Sequence, residues 1–409
     1  MARIRLIEFG SRTDAVREME RIGVDPAGIA MMAPKQFHRN LRIDDLSPAQ
    51  ANILKQDALS LGAEAAVAKG VVSCEASLTG CVLSGTEKQL RELVRKLGHQ
   101  PYGLKAIGRE IEAALNCIEA DVIVFKGVSR TWNISGRALV MGVLNVTPDS
   151  FSDGGKYGST DAAIERGIAM LEEGADIIDV GGESTRPGAK PVSEAEELTR
   201  VIPVIEGLVR KGAAVSVDTT KAAVARAGVD AGAEIVNDIS AMTRDAQMAG
   251  VVASSGAGVI LMHMRGEPGS MQSMTDYGDV AAEVYAFLDG ALRGAVAAGI
   301  DIEKTAVDPG IGFAKDADGS LELLRRLREF TSFGRPVLVG TSRKSFIAKA
   351  LGADKYADAA SRGVPTLATV CAAVTNGASI VRVHDVEETR EAVNMLAAIK
   401  GKSNNAVKA

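Results

Sequence analysis

From about residue 119 onward the chain keeps a single rhythm, in which short apolar runs alternate with longer segments of helical period. The runs lie at 138–146, 176–181, 214–219, 235–239, 258–264, 305–310, 336–341 and 380–385. Near-continuous apolar runs of this length suit strands buried on both faces, as in a parallel sheet. The segments between them read as helices. After Ser193-Glu194-Ala195-Glu196, a capping-box pattern, Leu198, Val201, Ile202, Ile205, Leu208 and Val209 keep to one helical face. Eight strand-then-helix units with nothing antiparallel between them predict a (β/α)8 TIM barrel, with a doubly wound open sheet as the competing arrangement.

Such a barrel uses about 250 residues, and the chain has 409. The excess precedes the rhythm, so two domains are expected: a small α/β domain over 1–118 and the barrel over 119–409, its strands and helices spanning 138–400. Residues 121–134 alternate in two short pieces about a Gly-Val-Ser turn, which predicts a hairpin ahead of the first strand, placed to plug the barrel floor. In the first domain, the RIRLIEF stretch reads as a strand and 12–22 as a helix. Ser47-Pro48-Ala49-Gln50 and Thr86-Glu87-Lys88-Gln89 are patterned as capping boxes opening helices, with a short strand at CVLSG between them.

Charge and composition exclude several functions. There are 47 Lys and Arg against 52 Asp and Glu, a formal charge of -5, so a polyanion would find no excess of cations to release its counterions. Aromatic residues are only 4%, too sparse for base-stacking platforms. Nucleic acid is not an expected partner. The cysteines Cys74, Cys81, Cys117 and Cys371 show no C-x-x-C or zinc-ligand spacing. No leader-like apolar core follows MARIRLIEFG, and no window approaches 18 apolar residues, so a cytoplasmic protein without membrane contact is expected.

In β/α barrels the active site is built at the carboxyl ends of the strands, and here most of those ends are polar. They carry Asn145, Asp179, Asp218, Asn237 and Asp308, then Lys344 just past the seventh run, and Arg382 with His384 on the eighth. Several have a structural alternative: Asp218 as a helix cap, Asp308 as a turn opener, and His263 as a satisfied core histidine among Leu261, Met262 and Met264. Arg382 and His384 differ, because alternation puts both on one strand face, and an Arg inside a barrel needs an anionic partner. The loop from Asn145 to Gly155 is long, polar and glycine-ended, which suits a lid. The loop from Gly181 to Gly188 sets Arg186 among small residues. Arg186, Arg343, Lys344 and Arg382 at the mouth of an acidic barrel imply an anionic ligand such as a phosphate or diphosphate. No P-loop pattern is present to hold it.

The stretches LNVTPDSFSDGG at 144–155, DVGGESTRPGA at 179–189, SVDTTK at 216–221, VNDIS at 236–240, DPGIGF at 308–313, SRKSF at 342–346 and VRVHDV at 381–386 follow one another in order. Together they resemble the dihydropteroate synthase family, over roughly residues 119–400. The resemblance implies a TIM barrel that condenses (7,8-dihydropterin-6-yl)methyl diphosphate with 4-aminobenzoate, giving 7,8-dihydropteroate and diphosphate. By motif position it implies that Asp218, Asn237, Asp308 and Lys344 hydrogen-bond the pterin while Met262 and Phe313 line its slot. It further implies that Asn145 ligates Mg2+, and that Asn145, Arg382 and His384 hold the diphosphate. Asp218, Lys344 and Arg382 would be the catalytic group. Thr185, Arg186, Pro187 and Ser345, with Pro148 and Phe151 of the lid, would form the aminobenzoate side, where sulfonamides compete in this family. A homodimer is the assembly it implies. The alternative within the fold is a pterin-dependent methyltransferase acting on methyltetrahydrofolate and a corrinoid, which would not need the lid, the SRKS lysine or the Arg-His pair. The family's usual single-domain members lack residues 1–118, which could serve interaction, regulation or stability.

Overall fold

In the computed structural model the chain divides into two compact units, Met1–Glu119 and Ala120–Ala409. The structure describes residues 2–73, 77–147, 156–184, 191–267 and 269–401. Among them, no helix is long and apolar enough to cross a membrane.

The first unit is a three-stranded antiparallel sheet with helices. Its elements are α1 (Arg12–Arg21), α2 (Pro26–Met32), β1 (His38–Leu46), α3 (Pro48–Leu59), β2 (Glu64–Val67), β3 (Thr79–Thr86), α4 (Glu87–Leu97) and α5 (Leu104–Glu119), with sheet order β1-β3-β2. Both capping boxes form completely: Ser47 with Gln50 opens α3, and Thr86 with Gln89 opens α4. Alternation along β3 buries Cys81 and Leu83 against Leu54, Leu90, Leu93 and Leu97. The expected strand at RIRLIEF does not form. Residues 2–9 have no regular structure, Ile4 and Leu6 are 96% and 89% exposed, and Arg5 pairs with Glu18 of α1 at 3.2 Å. Alternation alone does not make a strand where no sheet edge takes up the backbone.

In the second unit a hairpin of β4 (Ile123–Lys126) and β5 (Thr131–Ile134) precedes the barrel strands. These are β6 (Leu139–Asn145), β7 (Ile177–Gly181), β8 (Val215–Asp218), β9 (Ile235–Asp238), β10 (Gly258–Met262), β11 (Thr305–Asp308), β12 (Leu338–Val339) and β13 (Ile380–Val383). They pair in parallel in the order β11-β10-β9-β8-β7-β6-β13-β12. A parallel bridge between Val307 and Val337 joins the two ends, so the eight-stranded sheet is a nearly closed TIM-like barrel and not an open doubly wound sheet. The helices between strands are α6 (Lys156–Glu172), α7 (Glu194–Arg210), α8 (Ala222–Asp230), α9 (Met248–Ser255), α10 (Val280–Ala297) and α11 (Ala317–Arg325). α12 (Ser345–Leu351), α13 (Gly363–Thr375) and α14 (Val386–Ile399) complete the set. At α7 only half of the expected capping box exists. Ser193 accepts from the Glu196 N–H at 3.3 Å, but the Glu196 carboxylate turns to Arg200, a full-charge partner.

Strand alternation sorts the barrel side chains into two layers. Val140, Ile178, Val180, Val215, Val217, Val236, Val259, Leu261, Val307, Val339 and Val381 face the helices. Leu139, Met141, Ile177, Ala214, Ile235, Ile260, Ala306, Leu338 and Ile380 fill the lower bore, where they meet Phe125, Trp132 and Ile134 of the hairpin. The hairpin therefore closes the floor. Phe125 and Trp132 are buried with ring centroids 5.7 Å apart, and Glu234 at the foot of β9 accepts from the Ser129 and Arg130 N–H groups of the turn.

Candidate functional site

The parity that makes the lower bore apolar makes its upper end polar. Two residues above Leu139, Ile177, Ala214, Ile235, Ile260, Ala306 or Ile380, or further up the same face, stand Asn145, Asp179, Ser216, Asp218, Asn237, Met262, Asp308, Arg382 and His384. Because every strand is parallel, all of them reach the same mouth.

Arg382 is the centre of this layer. Its Nε donates to Asp179 Oδ2 and its Nη2 to Asp218 Oδ2, both at 2.6 Å. Asn237 Nδ2 donates to the same Asp179 oxygen at 3.0 Å. Four strands, β7, β8, β9 and β13, are thus tied across the bore by one cation and two carboxylates. Burial pushes the Asp218 carboxyl up to about 7; the Arg382 charge opposes this, and Asp179, Glu197 and Asp238 add to it.

A second group lies around Asp308, which is the register partner of Met262. Its carboxyl is raised by burial against the lowering charges of Lys344, Lys315 and Arg382, and its Oδ1 accepts from the Gly310 N–H at 2.7 Å. The turn that follows is compatible only with glycine at 310. There φ is +68°, and a Cβ would stand 2.0 Å from the His263 carbonyl oxygen. This turn brings the Ile311 carbonyl to Lys344 Nζ and the Phe313 ring beneath it, 4.4 Å from the amine. Burial pulls the Lys344 amine down to about 8, with Asp308 acting the other way.

The remaining expected residues are more dispersed. His384 Nδ1 is 3.0 Å from Ser342 Oγ, and Asn145 stands half-buried at the top of β6, in register with Gly181. Ser345 is exposed at the start of α12. Pro148, Phe151, Thr185, Arg186 and Pro187 lie outside the described residues, as does most of the expected lid. Arg343, counted from sequence as a mouth cation, is neutralised by Asp385, with Nε 3.2 Å from Oδ2. His263 is a satisfied core histidine. It is 3% exposed, edge-on to Phe287 and 2.7 Å from Lys315 Nζ, and burial pulls its pKa down to about 3.

Three groups near the mouth carry no role in the sequence reading. Asp179 was visible as a polar strand end, and its parity with Asp218 and Arg382 was the signal that it faces them. Lys221 joins Glu183 to the buried Glu197, anchoring the chain that leads into 185–190. Lys315 is buried beside His263 and donates to its carbonyl at 3.2 Å. Nothing in the local pattern near 315 or 221 marks these partners, which come from distant segments.

Asp218, Asn237, Asp308 and Lys344 thus bring hydrogen-bonding groups to one mouth, with the Arg382 cation among them. The comparisons with known proteins agree in kind. The pterin binding enzyme family matches residues 141–384. Dihydropteroate synthase of Synechocystis is 50% identical over 252 residues, 61% of this chain and 86% of that protein. The probable bifunctional folylpolyglutamate synthase/dihydropteroate synthase of Halobacterium salinarum is 41% identical over 393 residues, 96% of this chain. The chain spans about half the length of that relative, 47%. The crystal structure of Xanthomonas albilineans dihydropteroate synthase with 4-aminobenzoic acid superposes with a TM-score of 0.64 at 41% identity, covering 69% of this chain and 100% of that one. The chain belongs to the pterin-binding dihydropteroate synthase family.

Proposed function

We propose that the barrel condenses (7,8-dihydropterin-6-yl)methyl diphosphate with 4-aminobenzoate to form 7,8-dihydropteroate. The observation that carries the reading is Arg382, a cation held by Asp179 and Asp218 at the carboxyl end of the barrel strands.

In this reading Asp218, Asn237, Asp308 and Lys344 bind the pterin edge, and Met262 and Phe313 form the walls of its slot. Arg382 and His384, with Asn145, take the diphosphate. Ser345 faces the arylamine together with Thr185, Arg186, Pro187, Pro148 and Phe151. The electron pair of the methylene C–O bond leaves with the diphosphate, the amine lone pair forms the C–N bond, and the surplus proton on nitrogen passes to water. Arg382 stabilises charge as it grows on the departing oxygen. The carboxylates of Asp218 and Asp308 favour the positive charge left on the pterin methylene. An aryl amine is neutral at pH 7, so attack needs no strong base, and orientation supplies much of the rate.

The residues also fit Mg2+ in a limited way. No cluster of three or more His, Cys, Asp or Glu suited to a metal occurs among the described residues. The Asn145 amide oxygen suits an ion that keeps several waters and shares phosphate oxygens. Bound there with substrate, the ion would neutralise charge on the leaving diphosphate.

The test is diphosphate release from the two substrates; methyl transfer from methyltetrahydrofolate to a corrinoid, without diphosphate release, would replace this reading. The pH profile of kcat/KM should fall on the acid side as Asp218 takes up a proton near 7, and on the alkaline side as Lys344 loses one near 8. Asp218→Asn should change the acid limb, because its amide does not titrate and only the raised Asp308 carboxyl would remain to set it.

The first unit is proposed as an accessory folding unit. Its buried carboxylates are already used, Glu87 by Arg39 and Arg12, and Asp57 by Lys96 and Gln100. A chain beginning at Ala120 should keep kcat and KM within about threefold; a larger loss would give residues 1–119 a part in catalysis. A homodimer is the proposed assembly, with Val364, Met395 and Ile399 as exposed apolar side chains on α13 and α14 available to it. Sedimentation measures that assembly directly. The free thiols Cys81 and Cys371 suit the reducing cytosol, the proposed compartment.

A further inference from the structure

Arg382 has two carboxylate partners, and they are not equivalent. Asp179 is fully buried, whereas the Asp218 side chain is 11% exposed and stands one inward position higher: Asp179 pairs in register with Ser216, and Asp218 with Gly181. Asp179 takes the single N–H of Nε, and Asp218 takes one N–H of the terminal Nη2. Oδ2 of Asp179 also holds Asn237. The other oxygen, Oδ1, is buried and receives no hydrogen bond among the described residues, and Ser216 Oγ beside it is in the same state.

We propose that Asp179 is a positioning residue, the fixed tether of Arg382 and Asn237, and that Asp218 is the exchangeable partner of Arg382. The inference rests on the functional reading above, in which Arg382 meets the diphosphate and Asn237 the pterin. If Arg382 left Asp179, a fully buried carboxylate would lose its counter-charge with one oxygen already unpaired, a state strongly disfavoured in a low-dielectric interior. If Arg382 left Asp218, that carboxylate could turn to the pterin edge at the more exposed level. The substrate therefore trades one contact for another at Asp218. The Nε anchor stays, and the Nη groups become available to the diphosphate along a fixed axis. One oxygen, Asp179 Oδ2, would then set the distance between the groups that bind the two halves of the substrate.

Asp179→Asn separates charge from shape, since the amide oxygen can still accept from Arg382 and Asn237. In the full-length protein it should raise KM for the pterin diphosphate and lower kcat, for a combined loss in kcat/KM of about a hundredfold. Its Kd for the same pterin carrying a hydroxymethyl group in place of the diphosphate should stay within about threefold of wild type. Asp218→Asn should instead weaken both pterins. Asp179→Ala, if it folds, should lose more than Asp179→Asn. Wild-type kcat and KM in Asp179→Asn, or equal weakening of both pterins, would overturn the tether. So would an Asp179→Asn protein that fails to fold, since Asp179 would then be a folding residue. Absence of diphosphate release by the wild type would remove the functional reading itself, a separate and recognisable failure.

Discussion

Arg382→Ala is expected to lower kcat/KM by about a thousandfold and to destabilise the barrel by about 3–5 kcal/mol. The kinetic part follows from the loss of donors aimed at developing charge, each typically worth about a hundred- to a thousandfold in a site closed to water. The stability part follows from what remains: Asp179 and Asp218, on the neighbouring strands β7 and β8, would be left without the cation that both now contact at 2.6 Å, and removing one member of a buried ion pair costs about that much. Asp218, whose carboxyl burial already raises, would relieve part of this by taking up a proton, so the variant should be relatively more stable at low pH. Arg382→Lys gives the decisive contrast. A lysine restores the charge but presents one point donor where the fork of Arg382 reaches two carboxylates at once. It should recover most of the stability and less than a tenth of the activity. Steady-state kinetics at saturating 4-aminobenzoate and urea denaturation measure the two effects. Turnover within tenfold of wild type in Arg382→Ala would exclude it from the diphosphate group.

The barrel was legible because its signal is redundant. Eight apolar runs at regular spacing admit few topologies, and the polar residues at the ends of most runs mark the mouth. The floor was legible for the same reason, since Phe125 and Trp132 sit on the alternating pieces of 121–134 that no barrel strand could use. Asp179 is visible in the sequence as a polar strand end, but nothing local gives it a task. Its significance depends on a partner 203 positions away, and only the closure of the barrel brings β7 and β13 to either side of β6. The Lys344 amine beneath the Ile311 carbonyl has the same origin, a contact that exists only after the 308–313 turn has folded. Local rules failed where a competitor was present. Glu196 had the right spacing for a cap and took Arg200 instead, and residues 2–9 had the right alternation for a strand but no edge to join.

A second large effect is expected at the opposite end of the barrel. Trp132→Ala should reduce the stability of the second unit by about 3–5 kcal/mol, the usual range for deleting a buried large aromatic side chain. Trp132 is 3% exposed and packs with Phe125 against the first inward residue of the barrel strands. The hairpin can shift little to refill the space, because its turn is fixed by the Glu234 carboxylate at the foot of β9. Such a loss would be a large fraction of the total, since domains are stable by only about 5–15 kcal/mol. Well below the unfolding transition, however, kcat/KM should remain within about threefold of wild type. The polar layer is not held in place by the floor. It is held by its own ion pairs, Arg382 with Asp179 and Asp218, and by the strand register above Met141 and Ile177. Trp132→Phe should restore most of the stability, because it refills the apolar volume without a new polar group. If Trp132→Ala instead lowered kcat/KM a hundredfold while the protein remained folded, the floor would be setting the position of the site. The separation of a stabilising lower face from a functional upper face would then not hold for this barrel.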